Sequence, residues 1–174
     1  MLCKTTFDYR RRDGTWQTLS RETYDRGNGA VVLLYDPSRG TVLLTRQFRY
    51  PAYVSGHPGP LVEAIAGLLD ARDADEAIRQ EAEEEAGCRI ARPRRVFEAF
   101  MSPGSVTERL MFFVAEYSAA DRVAAGGGVR AEGEDIAVLE PTLDEALAMV
   151  RRGEIVDGKT IMLLQYAKLH GLVG

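Results

Sequence analysis

Apolar and polar positions divide this 174-residue chain into short alternating runs and three stretches of helical character. Residues 5–12 and 15–24 alternate irregularly around the turn-forming pair Asp13-Gly14 and predict two strands joined as an antiparallel hairpin. Residues 30–35 and 42–50 are rich in β-formers and flank Asp36-Pro37-Ser38-Arg39-Gly40, which predicts a second antiparallel pair. The run 61–69 is apolar apart from Glu63 and reads as a strand entering a loop at Gly67. Strong helix formers fill 73–86, with Asp73 placed to cap, Glu76 completing a capping-box-like start and Gly87 supplying a left-handed stop. Further strands are expected near 94–101, 109–117 and 136–140, a glycine-rich loop at Gly126-Gly127-Gly128, and helices at 143–152 and 160–170. Several strands followed by a few helices, without a βαβ repeat, predict an α/β/α sandwich on a mixed β-sheet.

The length falls within the roughly 100–200 residues of one domain, so a single domain over 1–174 without a regulatory module is expected. No segment approaches the ~20 uninterrupted apolar residues that cross a bilayer, and the first residues lack the apolar core of a secretory signal. Cys3 and Cys88 are too few for a disulfide framework, and a cytoplasmic protein with no membrane partner is expected. His57 and His170 are too isolated for a zinc site or a catalytic triad. A net charge of −4 gives no general attraction for nucleic acid. It does conceal an asymmetry: Glu81, Glu83, Glu84 and Glu85 crowd one segment, while Arg10, Arg11 and Arg12 crowd another.

In a helix over 73–86, Glu81, Glu84 and Glu85 lie three and four positions apart and share neighbouring parts of one face. They sit in its last turns, where the macrodipole also disfavours negative charge. Charge alone is compatible with a solvated acidic face. The other reading is a cation site, because carboxylates are hard oxygen ligands suited to Mg²⁺, which keeps the rest of its octahedron for water and phosphate.

The segment from Gly67 to Cys88 resembles the Nudix box, G-x5-E-x7-R-E-U-x-E-E-x-G-U with U bulky and apolar. Asp73 replaces the first glutamate, six residues rather than seven follow it, Gln80 stands where arginine is usual, and Ala82 and Cys88 are small for the U positions. The contracted box is similar to that of the bacterial Nudix subgroup acting on GDP-mannose. So are Tyr24–Ala30, Arg46-Gln47-Phe48-Arg49, Met101-Ser102-Pro103-Gly104, Gly126-Gly127-Gly128-Val129, Glu134-Asp135-Ile136 and Asp157-Gly158-Lys159-Thr160, in the same order. Pro103, fifteen residues beyond Cys88, is at a spacing associated with the ADP-ribose and nucleotide-sugar branch.

The resemblance implies a Nudix fold and Mg²⁺-dependent hydrolysis of a nucleoside diphosphate sugar, GDP-mannose first, with Mn²⁺ able to substitute. It implies metal ligands at Glu81, Glu85, Glu134 and the Ala66 carbonyl, with Glu84 beside them as a further ligand or an acceptor for metal-bound water. Glu132 is the expected base, and a mobile loop after the triple glycine is expected to carry it over bound substrate. Arg21, Glu22, Arg49, Gly67, Leu68, Glu85, Glu108, Glu134 and Lys159 match substrate-contacting positions, while Ser20 replaces a lysine-type neighbour. The subgroup forms intertwined homodimers, which implies that the strands within 1–29 lie at a dimer interface and that some contacts come from the partner. Compared with that subgroup the chain begins abruptly, without a segment that supplies an aromatic contact across the dimer. Phe7, Tyr9 or Tyr24 would then have to compensate, each being equally suited to the core.

Three rivals remain. Residues 153–160 satisfy G-x-x-x-x-G-K-[ST], but a P-loop must follow a strand inside a parallel sheet, whereas a helical pattern precedes this one. A catalytically silent nucleotide-sugar sensor of the same fold would not require so costly a concentration of carboxylates. ADP-ribose, cleaved to AMP and ribose 5-phosphate, is the competing substrate, since only base and sugar contacts would differ.

Overall fold

The computed structural model of the chain describes residues 1–69 and 72–173, without the side chain of Glu132. The predicted hairpin forms from β1 (Leu2–Arg10) and β2 (Trp16–Tyr24), which pair antiparallel with Leu2 opposite Tyr24 and Arg10 opposite Trp16. Its turn closes through the Arg11 N–H on the Thr15 carbonyl and the Thr15 N–H and hydroxyl on Asp13. The hairpin meets the rest of the chain at Tyr24, whose N–H donates to the Ser105 carbonyl. Opposite residues of an antiparallel pair share a face, so Cys3, Phe7, Tyr9 and Leu19 line one side and Trp16 the other. Phe7, Tyr9, Trp16 and Tyr24 are all exposed, so none of them belongs to the core of this chain.

The remaining strands form one mixed sheet. β3 (Gly29–Asp36) lies at its centre, parallel to β8 (Arg109–Glu116), which pairs antiparallel with β7 (Arg94–Phe100). On its other side β3 pairs with two strands in turn. Residues 29–32 face β6 (Ile65–Leu68), and residues 34–36 face β4 (Thr41–Gln47), which goes on to pair with β5 (Leu61–Glu63) and β9 (Ala137–Leu139). The run 61–69 is therefore two strands divided at Ala64, because each half has a different neighbour. Gly67 lies inside β6, so the loop expected at that glycine begins beyond Leu68.

β3 is buried on both faces and reads as an unbroken apolar run for that reason. Ala30, Val32 and Leu34 pack with Leu43 and Ile65 against Ile78, Ala82 and Ala86 of α2 (Ala74–Ala86). Val31 and Leu33 pack with Val42, Leu44, Phe112 and Val114 against α3 (Leu143–Arg152) and α4 (Gly158–Leu169). Each large side chain buried this way contributes about 1.5–3 kcal/mol. The result is the predicted α/β/α sandwich on a mixed sheet, with an antiparallel hairpin at the amino terminus.

Several boundaries differ from expectation for local reasons. The strand expected over 42–50 stops at Gln47, because Pro51 starts a short helix, α1 (Tyr50–Val54). Asp73 caps α2 through the Asp75 N–H, and Glu76 does not complete a reciprocal box. α4 starts at Gly158, two residues early, because the Asp157 side chain accepts from the Thr160 N–H. α3, not a strand, precedes the 153–160 motif, which removes the P-loop reading. Among the described residues no helix is long and apolar enough to cross a membrane.

Candidate active site

A cavity of about 730 Å³ opens beside Gly29 and Ala30, at the start of β3 where it pairs with β6. Glu81 and Glu84 of α2 reach it from one side, and Ala66, Gly67 and Leu68 of β6 form its floor. Glu108 and Glu134 enter from loops, and Arg49 and Lys159 bring positive charge to the same wall. The chain thus gathers nine of the expected site residues around one opening.

The tenth, Glu85, lies at the base of α2 and is only 3% exposed. Its Oε2 is buried without a hydrogen-bond partner among the described residues. Burial pushes this carboxyl up to about 8; Glu81 and Glu134 push the same way, while Arg49 and the Ala66 N–H pull against them. A buried carboxylate beside two others is costly unless a cation joins it. Burial opposes the charge of Arg49, yet Glu63, with Glu85 and Glu134 adding to it, raises that guanidinium's pKa above its ordinary value.

α2 can end at this point because Gly87 adopts φ 62°, and the glycine triplet then supplies donors to the open carbonyls of the buried helix end. The Gly127 N–H donates to the Glu85 carbonyl and the Gly128 N–H to the Glu84 carbonyl, both at 3.0 Å. The Val129 N–H donates to Glu134 Oε2 at 2.7 Å, which fixes that carboxylate beside the cavity. The glycine triplet is thus a cap bonded to the acidic helix, and the segment expected to carry the base follows it. The side chain of Glu132, the expected base, lies outside the described residues.

Sequence reasoning did not assign four polar residues that line the cavity, Arg26, Glu63, Arg72 and Gln80, to the site. Glu63, 4% exposed, lies between Arg49 and Lys159. Arg26 sits 3.5 Å from Glu108. Arg72 reaches over the helix to donate to Gln80 Oε1 at 2.8 Å and to the Leu68 carbonyl at 3.0 Å, while Gln80 donates to Glu84 at 2.9 Å. Arg72 also stands 3.9 Å from Glu81, so the guanidinium absent from box position 80 is supplied from the preceding loop. The signal for Glu63 was visible as one charge inside an apolar run.

Arg21 and Glu22 do not reach this cavity. They are adjacent on β2 and point to opposite faces of the exposed hairpin, Arg21 donating to the Ser20 carbonyl and Glu22 standing 3.9 Å from Lys4. Among the described residues no three carboxylate, imidazole or thiolate side chains converge as a ready-made metal cage. Mg²⁺ does not demand one, since it takes one or two carboxylates and completes its octahedron with water and phosphate. The orphaned Glu85 oxygen, flanked by Glu81 and Glu134, fits that requirement.

Residues 25–162 match the family model of the NUDIX domain, and residues 1–24 match that of the GDP-mannose pyrophosphatase NudK N-terminal domain. The chain belongs to the Nudix hydrolase family, whose members generally need a divalent metal. It is 54% identical over 98% of its length to the GDP-mannose pyrophosphatase of Pectobacterium atrosepticum, covering 88% of that protein. Identity is 53% to the enzyme of the same name from Yersinia enterocolitica and 50% to that of Escherichia coli O1:K1, in each case over 99% of this chain and 90% of the relative.

Proposed function

We propose that this hydrolase cleaves the diphosphate bridge of GDP-mannose to give GMP and mannose 1-phosphate, with Mg²⁺ as its metal and Mn²⁺ as a substitute. The observation that carries the reading is Glu85, a buried carboxylate with an orphaned oxygen, which interacts with Glu81, Glu134 and Arg49, three residues that line a nucleotide-sized cavity. The names of relatives that align over almost the whole chain support the choice of substrate.

In this reading Glu81, Glu85, Glu134 and the Ala66 carbonyl hold the metal, with Glu84 alongside. Bound divalent ions supply charge neutralisation at phosphorus and lower the pKa of water. Arg49 and Lys159 orient the phosphate oxygens, and the β6 backbone at Gly67 and Leu68 lets substrate approach closely. Glu108, steadied by Arg26, faces the sugar or base. Water adds to one phosphorus, the bridging oxygen leaves with the other, and Glu132 takes the proton. Two copies pair through residues 1–29, which brings Arg21 and Glu22 of one hairpin to the partner's cavity. The chain acts as one unit over 1–174 in the cytoplasm.

Comparison of kcat/KM over GDP-mannose, GDP-glucose, ADP-ribose and ADP-sugars with Mg²⁺ tests the substrate. GDP-mannose is expected to lead; a tenfold advantage for ADP-ribose overturns that choice, and saturable binding without products points to a sensor.

A further inference from the structure

Building on the cavity as a diphosphate site, we propose that Glu63 is a positioning residue that locks Arg49 and Lys159 together as one cationic clamp on the diphosphate. Glu63 is buried at the end of β5 and uses its two oxygens separately: Oε2 accepts from Arg49 Nε at 2.7 Å and Oε1 from Lys159 Nζ at 2.6 Å. The two cations arrive from unrelated places, Arg49 from the irregular segment after β4 and Lys159 from the first turn of α4. Like charges brought this close repel, and the carboxylate between them offsets that repulsion. Arg49 is engaged through Nε, so the terminal nitrogens of its fork are the part that meets ligand in the cavity both cations line.

A second link fixes the register. The hydroxyl of Thr160 accepts from the Ala64 N–H at 2.7 Å and donates to Asp157 Oδ2 at 2.6 Å, and Asp157 Oδ1 stands 3.0 Å from Lys159 Nζ. Residue 64, next to the carboxylate, is thereby pinned to residue 160, next to the lysine. The Asp157–Thr160 segment is thus a coupling device between α4 and the break separating β5 from β6, with a part for each polar side chain. Because the clamp grips phosphate oxygens before and during the reaction alike, its loss is felt mainly in binding.

The test is steady-state kinetics on GDP-mannose with the full chain and the variants Glu63→Gln, Glu63→Asp, Lys159→Met and Glu63→Gln/Lys159→Met, alongside thermal melting. Glu63→Gln is expected to raise KM at least tenfold with kcat within threefold, Lys159→Met to raise it comparably, and the double variant to add less than threefold to either. Glu63→Asp, which keeps the charge on a shorter arm, is expected to fall between wild type and glutamine, and it decides the matter if the glutamine variant does not fold. An unchanged KM accompanied by a lower Tm and kcat, or effects that multiply in the double variant, overturns the clamp. If the wild type leaves GDP-mannose intact, the substrate reading fails by itself, and calorimetric binding of inorganic pyrophosphate with Mg²⁺ decides the clamp: tenfold weaker in Glu63→Gln supports it, equal affinity overturns it.

Discussion

Glu81 and Gly67 share one corner of the cavity so closely that a Cβ at residue 67 would come within 2.0 Å of Glu81 Oε1 and 2.6 Å of its Cγ. The obstacle is a side chain, not backbone, so Gly67→Ala is expected to fold and to displace the carboxylate. A shift of about 1 Å in a catalytic group costs on the order of 10²-fold in rate. Turnover of the variant should fall by about that factor while its Tm stays within a few degrees of wild type. Normal turnover would show that Glu81 does not need its present place.

Glu85 makes the metal-free protein sensitive to pH. Its carboxyl is raised from 4.5 to about 8 by burial, then by Glu81 and Glu134. The fold therefore retains a proton that the unfolded chain releases above 4.5, and stability falls as pH rises from there to about 8. Thermal melts in chelator should show Tm decreasing across that window, and Mg²⁺ should flatten the trend by taking the proton's place. Glu85→Gln should abolish turnover, keep the fold and remove this contribution to the slope; an unaltered slope would exclude Glu85 as its source.

Gly126 stands against the end of α2. With φ 73° and a would-be Cβ 2.4 Å from the Glu85 carbonyl oxygen, it faces backbone that cannot yield as a side chain can. Gly126→Ala is expected to cost at least about 2 kcal/mol, the left-handed penalty alone being roughly 1–2. Urea unfolding measures this directly, and a variant as stable as wild type would show that the triplet is not a cap.

The hairpin presents Phe7 and Tyr9 exposed on one side, with Cys3 and the half-buried Leu19 beside them, and a two-stranded ribbon alone is marginal in water. Light scattering should find a dimer for wild type and a monomer for Phe7→Glu. A monomeric wild type, or a dimer unaffected by the charge, would remove the hairpin from the interface.

Much of this was legible where local signals agree. α3 runs over the predicted 143–152 because Thr142 caps it, its apolar positions recur with helical period and Gly153 ends it. The acidic helix was equally readable from Asp73 to Gly87. The division at Ala64 was not, because it depends on β3 taking two partners, a non-local choice that composition does not record. For the same reason Glu63 stood out as a lone charge while its partners stayed invisible, far along the chain in one case. Arg72 was missed because the box directs attention to position 80, whereas the guanidinium enters from a different residue. Arg49 and Lys159 came from family resemblance rather than from spacing, and the fold brings both to the cavity.

If the carboxylates of α2 hold divalent metal against a diphosphate, cleavage stops when the metal is removed. The most direct measurement is ³¹P NMR of GDP-mannose incubated with thoroughly chelated protein, before and after Mg²⁺ is restored. The expected result is no change without metal, then matched growth of GMP and mannose 1-phosphate signals. Cleavage that continues unchanged under chelation, or the appearance of GDP with free mannose, would contradict it.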